Sequence, residues 1–257
     1  MTAFEITDRR VIEAVLRRDT GRHVYELGDL DDFFWPDTRW YATGASEAPE
    51  AVVLEYRGSD TPAVLALSSR TSALSDLLRE VSDVLPDEFF MHVSPGCCDS
   101  LGERYRGTFL GRQLKMILRE LPQLDTGVPA GRLGPDDLRE LSDFYSESYP
   151  ANWFDPRMLD TGYYYGVRRN GFLVSAAGVH SYSPDYGVAA VGNVATHPNY
   201  RNRGLGKVAT STLIRALSDH VDDIGLNVSA HNPAAIRAYH SLGFSTVCEF
   251  EEWRISR

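Results

Sequence analysis

The stretch that most limits how this chain can fold runs from Val194 to Lys207, Val-Ala-Thr-His-Pro-Asn-Tyr-Arg-Asn-Arg-Gly-Leu-Gly-Lys. Its first residues read as a strand and its middle as a basic turn. Arg201-x-x-Gly204-x-Gly206 then opens a helix whose apolar positions Leu205, Val208, Leu213, Ala216 and Leu217 recur at helical spacing. A helix starting there has backbone N–H groups without intrahelical acceptors, and these, with the positive end of the helix dipole, attract an anion. Lacking Cβ atoms, Gly204 and Gly206 let the backbone close on a phosphate, while Arg201, Arg203 and Lys207 add cationic side chains. An ordinary solvated turn could carry the same residues, so the rest of the C-terminal half has to decide.

Composition narrows the classes. A chain of 257 residues suits one large domain or two smaller ones, and 43% hydrophobic residues can bury a core. No apolar run approaches the ~20 residues of a membrane span, and Met1-Thr2-Ala3-Phe4-Glu5 has no signal-peptide pattern, so a cytoplasmic location without membrane contact is expected. A net charge of −10 repels nucleic-acid backbones over most of the surface, so any polyanion site must be local. The three cysteines, with Cys97 and Cys98 adjacent, form no even disulfide set and lack zinc-ligand spacing. They read as reduced and structural, and no metal is expected.

The N-terminal half begins with a helical pattern (Val11, Ile12, Val15, Leu16) and the aromatic cluster Phe33-Phe34-Trp35. Ala51–Tyr56 and Ala63–Leu67 form a hairpin around the turn residues 57–62, followed by a helix over 72–84, a strand over 89–93 and one or two strands over 107–120. Breakers at Gly127-Val128-Pro129-Ala130-Gly131 place a domain boundary near 128, giving domains 1–128 and 129–257. The second half reads as a helix over 135–146, then the aromatic segment Tyr149-Pro150-Ala151-Asn152-Trp153-Phe154. Strands over 163–168, 172–180 and 188–196 lead to the basic loop and its helix. A strand over 224–230, a short helix over 234–242 and strands over 246–255 finish the chain, with Asn232 a good N-cap and Pro233 at a helix start.

These residues resemble the GNAT superfamily of acyl-CoA-dependent N-acyltransferases over residues 129–257, in the manner of its FR47-like, tandem two-domain members. Val194-Ala195-Thr196 resembles the strand that hydrogen-bonds pantetheine, and Arg201-x-x-Gly204-x-Gly206 the pyrophosphate loop. Asn232-Pro233-Ala234-Ala235-Ile236-Arg237-Ala238-Tyr239 through Phe244 resembles a second motif with an asparagine beside CoA and a tyrosine near the thiol. The resemblance implies an α/β (α+β) GNAT-like fold, a mixed, mostly antiparallel twisted sheet flanked by helices, with the N-terminal half a degenerate copy lacking the CoA loop. A dinucleotide fingerprint fits less well. Seven residues separate Thr196 from Gly204, no acid ends the next strand, and the Gly-Lys-Ser/Thr ending of a Walker loop is missing.

What the resemblance implies for chemistry is transfer from acetyl-CoA or another acyl-CoA to a primary amine of a small molecule or amino acid. CoA contacts are expected from Val194, Ala195, Thr196, Arg201, Asn202, Arg203, Gly204, Leu205, Gly206, Lys207, Asn232 and Tyr239. A backbone N–H near Val194 would polarise the thioester carbonyl, and Tyr239, a phenol of ordinary pKa about 10, would protonate the leaving thiolate. Many relatives carry a glutamate base where this chain has Asn193 and Asn227. His180 is the candidate base here, His197 reads as loop scaffold, and Glu249, Glu251 and Glu252 stay open. Trp153, Phe154 and Tyr163–Tyr165 either shape an acceptor pocket or are core. A homodimer is compatible with this reading, and the alternative function is an inactive acyl-CoA-binding module.

Overall fold

The computed structural model describes residues 2–123, 127–150 and 152–257; Met1 and Ala151, cited above, lie outside them. The first half runs β1 (Phe4–Glu5), α1 (Arg9–Leu16), α2 (Thr20–Gly28), β2 (Thr38–Ala45), β3 (Ala48–Tyr56), β4 (Ala63–Ala66), α3 (Thr71–Val81), β5 (Glu88–Val93) and β6 (Arg106–Leu118). The second runs β7 (Gly131–Arg132), α4 (Leu138–Ser148), β8 (Tyr165–Arg169), β9 (Phe172–Ser183), β10 (Val188–Thr196), α5 (Leu205–Leu217), β11 (Asp223–Ser229), α6 (Pro233–Ser241) and β12 (Phe244–Ser256). The chain divides into two compact units, Met1–Lys115 with Val228–Asn232 and Thr246–Arg257, and Met116–Asn227 with Pro233–Ser245. The division therefore falls inside β6, not at the breakers near 128, because the long strand continues through residues that the breakers follow.

Each unit is built on one plan. In the first, β1, β2, β3 and β4 pair antiparallel in succession, and β4 joins β5 in parallel across α3. In the second, β7, β8, β9 and β10 pair antiparallel, and β10 joins β11 in parallel across α5. This is the mixed, mostly antiparallel α/β architecture expected from the sequence, present twice. Helices cover the sheets through apolar stripes: Leu74, Leu77, Leu78 and Val81 of α3 cluster with Val53, Val64, Phe89 and Met91, and Leu213, Ile214 and Leu217 of α5 are buried. The first unit is finished by β12, whose Glu251–Ser256 pairs antiparallel with β5 from Val93 back to Glu88. Among the described residues no helix is long and apolar enough to cross a membrane.

The repeats differ where strand gives way to helix. In the first unit Ser94 N–H donates to Ala66 O at 3.0 Å. The Ser94 hydroxyl also accepts from Ser68 N–H at 2.9 Å and donates to Ser68 O at 3.1 Å, so β4 and β5 are clasped beyond their ladder. In the second unit the parallel ladder pairs Val188–Val191 with Asp223–Leu226 and ends there, while β10 runs on to Thr196. The turn into α5 is also longer, and carries the glycines.

A buried ionic cluster sits in the first unit. Lys115 and Glu26, each 2% exposed, approach to 3.3 Å, His23 Nδ1 meets Glu26 at 3.2 Å, and the ammonium lies 4.7 Å from the Tyr25 ring centroid. Burial opposes ionisation of Glu26, but the Lys115 charge and the His23 hydrogen bond outweigh it and bring its pKa down to about 2. The stability this carboxylate contributes is therefore present above its ordinary pKa and is lost as pH falls toward 2. Glu26→Ala, which leaves the ammonium buried without its carboxylate, is expected to cost about 3–5 kcal/mol, read as a lowered urea midpoint. An unchanged midpoint would refute the pairing.

Candidate functional site

β10 carries the irregularity that shapes the site. Gly192 lies opposite Gly178 and Ala195 opposite Ala176, so Asn193 and Val194 together face Ala177: a bulge, with Asn193 at φ 51°. Such left-handed backbone is uncommon for a residue with a side chain, and asparagine is among those that tolerate it. On β9 a second register shift leaves His180 as the extra residue between Val179, opposite Val191, and Ser181, opposite Ala190. Its imidazole lies over the backbone of Gly192, where a Cβ would come within 2.5 Å of the ring. Glycine at 192 is what lets the histidine rest against the bulged strand.

Beyond the bulge, Ser175 ties down the end of β10. Its hydroxyl donates to Ala195 O at 2.9 Å and lies 2.9 Å from the Thr196 hydroxyl. A short 3-10 turn over Pro198–Tyr200 follows, then Asn202 and Gly204 at φ 61° and 76°, and α5 begins at Leu205. Val208 N–H reaches Gly204 O at 3.1 Å, so the helix is formed from its first turn, and the N–H groups of Leu205, Gly206 and Lys207 have no intrahelical acceptor by geometry. Gly206 sits where a Cβ would be 3.2 Å from Thr196 Oγ1, at the close approach of α5 to the strand. Residues Arg201 to Gly204 are exposed, Leu205 is buried, and Lys207 and Val194 are half-buried.

The basic side chains divide by role. Arg201 turns back on the protein, with Nε 3.1 Å from Thr196 O and Nη2 3.3 Å from Ser148 O, so it braces the loop. Arg203 lies 5.3 Å from the Tyr200 ring centroid. His197 accepts from Asn199 N–H at 3.2 Å and sits 3.4 Å from Glu147, a scaffold position. Tyr239 is half-buried on α6, edge-on to Phe244 at 6.0 Å. Burial, with the neighbouring Tyr149, raises its pKa above the ordinary phenol range, so it keeps its proton. Asn232 immediately precedes α6 and falls in the first unit, its N–H donating to Ser229 O at 2.9 Å.

Other sequence candidates resolve differently. Glu249, Glu251 and Glu252 lie on β12 in the first unit, and each is engaged. Glu249 faces Arg112 at 3.5 Å, Glu251 accepts from the Trp253 indole at 3.1 Å, and Glu252 accepts from Gln113 at 2.9 Å and faces His92 at 3.5 Å. Hydrogen bonding to His92 holds the Glu252 carboxyl below its usual range against the effect of burial. Tyr164 is fully buried, and Phe154 stacks between it and Tyr145 at 5.6 and 5.3 Å, so these rings are core. Tyr163 packs on Tyr182 at 4.6 Å, and burial together with that hydroxyl pushes its pKa up to about 12. Trp153 and Tyr149 are exposed on the segment after α4. Sequence reasoning missed Tyr145, whose hydroxyl donates to Asn193 O at 2.7 Å; the only available signal was an aromatic on the helix preceding these strands.

Residues 134–244 match the model of the acetyltransferase (GNAT) family. A mycothiol acetyltransferase of Tsukamurella paurometabola is 32% identical over 119 residues, 45% of this chain and 38% of that protein, so the match spans well under half of that relative. Among solved structures, a Drosophila protein superposes with a TM-score of 0.70 at 14% identity, covering 99% of this chain and 98% of its own. A tandem GNAT protein from the clavulanic acid biosynthesis pathway does so with a TM-score of 0.58 at 13% identity, covering 98% of each chain. These structural likenesses concern the fold, and they extend over both units.

Proposed function

Because residues 134–244 match the model of the acetyltransferase (GNAT) family, we propose that this chain moves an acyl group from acetyl-CoA or another acyl-CoA to the primary amine of a small molecule or amino acid. The observation that carries the proposal is the end of the β10–β11 ladder at Val191, from which β10 continues through a bulge into a glycine-opened helix. Backbone groups of Val194 to Thr196 hold the pantetheine arm, and the N–H groups opening α5 hold the diphosphate. Asn202, Arg203 and Lys207 line that loop. The clasp between Ser68 and Ser94 leaves the first unit without the corresponding opening, so it holds no CoA.

The neutral amine attacks the thioester carbon, forming the N–C bond as the carbonyl electron pair moves to oxygen, to which the Val194 N–H donates a hydrogen bond. The oxyanion then collapses and the C–S bond breaks. Tyr239 gives its proton to the departing sulfur, while His180 takes the proton that the amine nitrogen sheds. The ring's seat on Gly192 puts this imidazole at the bulged strand, where it takes that proton. Exposed Trp153 and Tyr149 supply aromatic surface for an amine-bearing acceptor.

His180→Gln should lower kcat/KM about 10²-fold at pH 7, with the deficit shrinking as pH rises and the amine arrives already deprotonated. A deficit constant from pH 7 to 9.5 would remove His180 from the proton path. The test of the activity itself is CoA release over a panel of amines. Asparagine at 193 and 227, in place of a glutamate, favours the rival reading of an inactive acyl-CoA-binding module, which is the result if acyl-CoA binds and no amine is acylated.

A further inference from the structure

The β10 bulge is gripped by side chains that the chemistry above does not use. Tyr145, on α4 and 2% exposed, donates its hydroxyl proton to the Asn193 carbonyl at 2.7 Å. Burial raises this phenol well above the ordinary tyrosine range, so it stays a donor at any working pH. Asn193 Nδ2 donates to the Tyr164 hydroxyl oxygen at 3.0 Å, and Tyr164 has two acceptors for its own proton, Val179 O at 3.2 Å and Met158 Sδ at 3.3 Å. With that proton directed at Val179 O or Met158 Sδ, the Tyr164 oxygen accepts from the asparagine amide. The left-handed residue is thus held at its carbonyl and at its side chain, and a sparsely populated conformation persists only where its surroundings hold it.

Peptide geometry carries this one atom further. No cis bond occurs among the described residues, and a trans peptide directs its C=O and the following N–H to opposite sides. Fixing the Asn193 oxygen toward α4 therefore fixes the Val194 N–H pointing away from α4. We propose that Tyr145 is a positioning residue, seconded by Tyr164, that sets the Asn193–Val194 peptide so that the Val194 N–H donates to the thioester carbonyl oxygen. The inference rests on the acyltransferase reading above and adds the device that preorganises its oxyanion donor. Without the Tyr145 hydroxyl, this peptide can rotate, and the donor is no longer aimed before the reaction begins.

Tyr145→Phe removes one oxygen and keeps the ring against Phe144 and Phe154. Acetyl-CoA should bind this variant with unchanged Kd by calorimetry, while kcat falls about 10²-fold, the usual effect of losing one oxyanion donor. A purely structural role would not move the infrared carbonyl band of [1-13C]acetyl-CoA in the binary complex. That band should lie at lower wavenumber on the natural chain than in solution, and return toward its solution position on Tyr145→Phe. Equal band positions on the two proteins, or an unchanged kcat, overturn the inference. If Tyr145→Phe fails to fold, Tyr164→Phe is read by the same band, with a smaller return expected and no return counting against the clamp. A natural chain that shifts the band yet acylates no amine would refute the activity and leave the clamp standing.

Discussion

Tyr239→Phe is expected to bind acyl-CoA as tightly as the natural chain and to turn over about 10²-fold more slowly at neutral pH. Positioned general acids contribute ~10²–10⁴-fold, and the lower end applies because a thiol of ordinary pKa near 8.5 leaves tolerably well as the anion. The phenylalanine keeps the edge-on contact with Phe244, so the fold loses only a hydroxyl. Burial raises the Tyr239 pKa, so the natural enzyme should show no loss of activity from deprotonation of this group below pH 10. The deficit of the variant should accordingly persist across the working range, in contrast to that of His180→Gln. Equal kcat for the two proteins would take the acid role away from Tyr239.

Gly206→Trp is expected to abolish acyl-CoA binding while leaving the chain as stable as before. Gly206 is in the first turn of α5 with an ordinary helical backbone, unlike Gly204 at φ 76°, so a side chain there meets no backbone strain. Replacing a helical glycine recovers up to about 1 kcal/mol of backbone entropy, which offsets the tight approach to Thr196. The indole would then stand over the N–H groups that open the helix. Titration with acetyl-CoA should show no saturable binding, with a melting temperature near that of the natural chain. Undiminished affinity would mean that the diphosphate is held elsewhere.

The contrast between those two glycines shows how much of the site was legible in the chain. A helix start, its glycines and its orphan donors follow from local rules, and so did the hairpin of β3 and β4 and the strands leading to the loop. Local rules do not say where a long side chain goes. The sequence marks Arg201 as a cation of the loop but does not show that its guanidinium also bonds Thr196 O and Ser148 O, which only the folded loop brings beside it. Nor do they reveal the left-handed turn of Asn193, which is imposed by Tyr145 and Tyr164 from other elements.

Longer-range features were less accessible still. β2 has apolar and polar residues without clean alternation, since its four consecutive middle positions, Trp40 to Thr43, are buried, and its identity comes from pairing with β1 and β3. α2 leaves a weak mark on the sequence because it follows α1 after a three-residue turn and contains a non-helical residue, His23. The cut near residue 128 followed composition. The spatial division follows strand pairing, and the pairing of β12 with β5 joins residues that no window on the sequence sees together.

That pairing sets an order on the birth of the protein. Domains commonly fold as the ribosome releases them, N-terminal first. Here β5 must wait for Glu251–Ser256, which are made only after all of the strands and helices of the second unit. A nascent chain paused between α6 and β12 therefore displays β5 with one edge unpaired, a template for pairing with another chain or for capture by a chaperone. The strand that finishes the first unit is thus a late checkpoint: only a chain translated past the glycine-opened helix α5 and past α6 can complete the first unit.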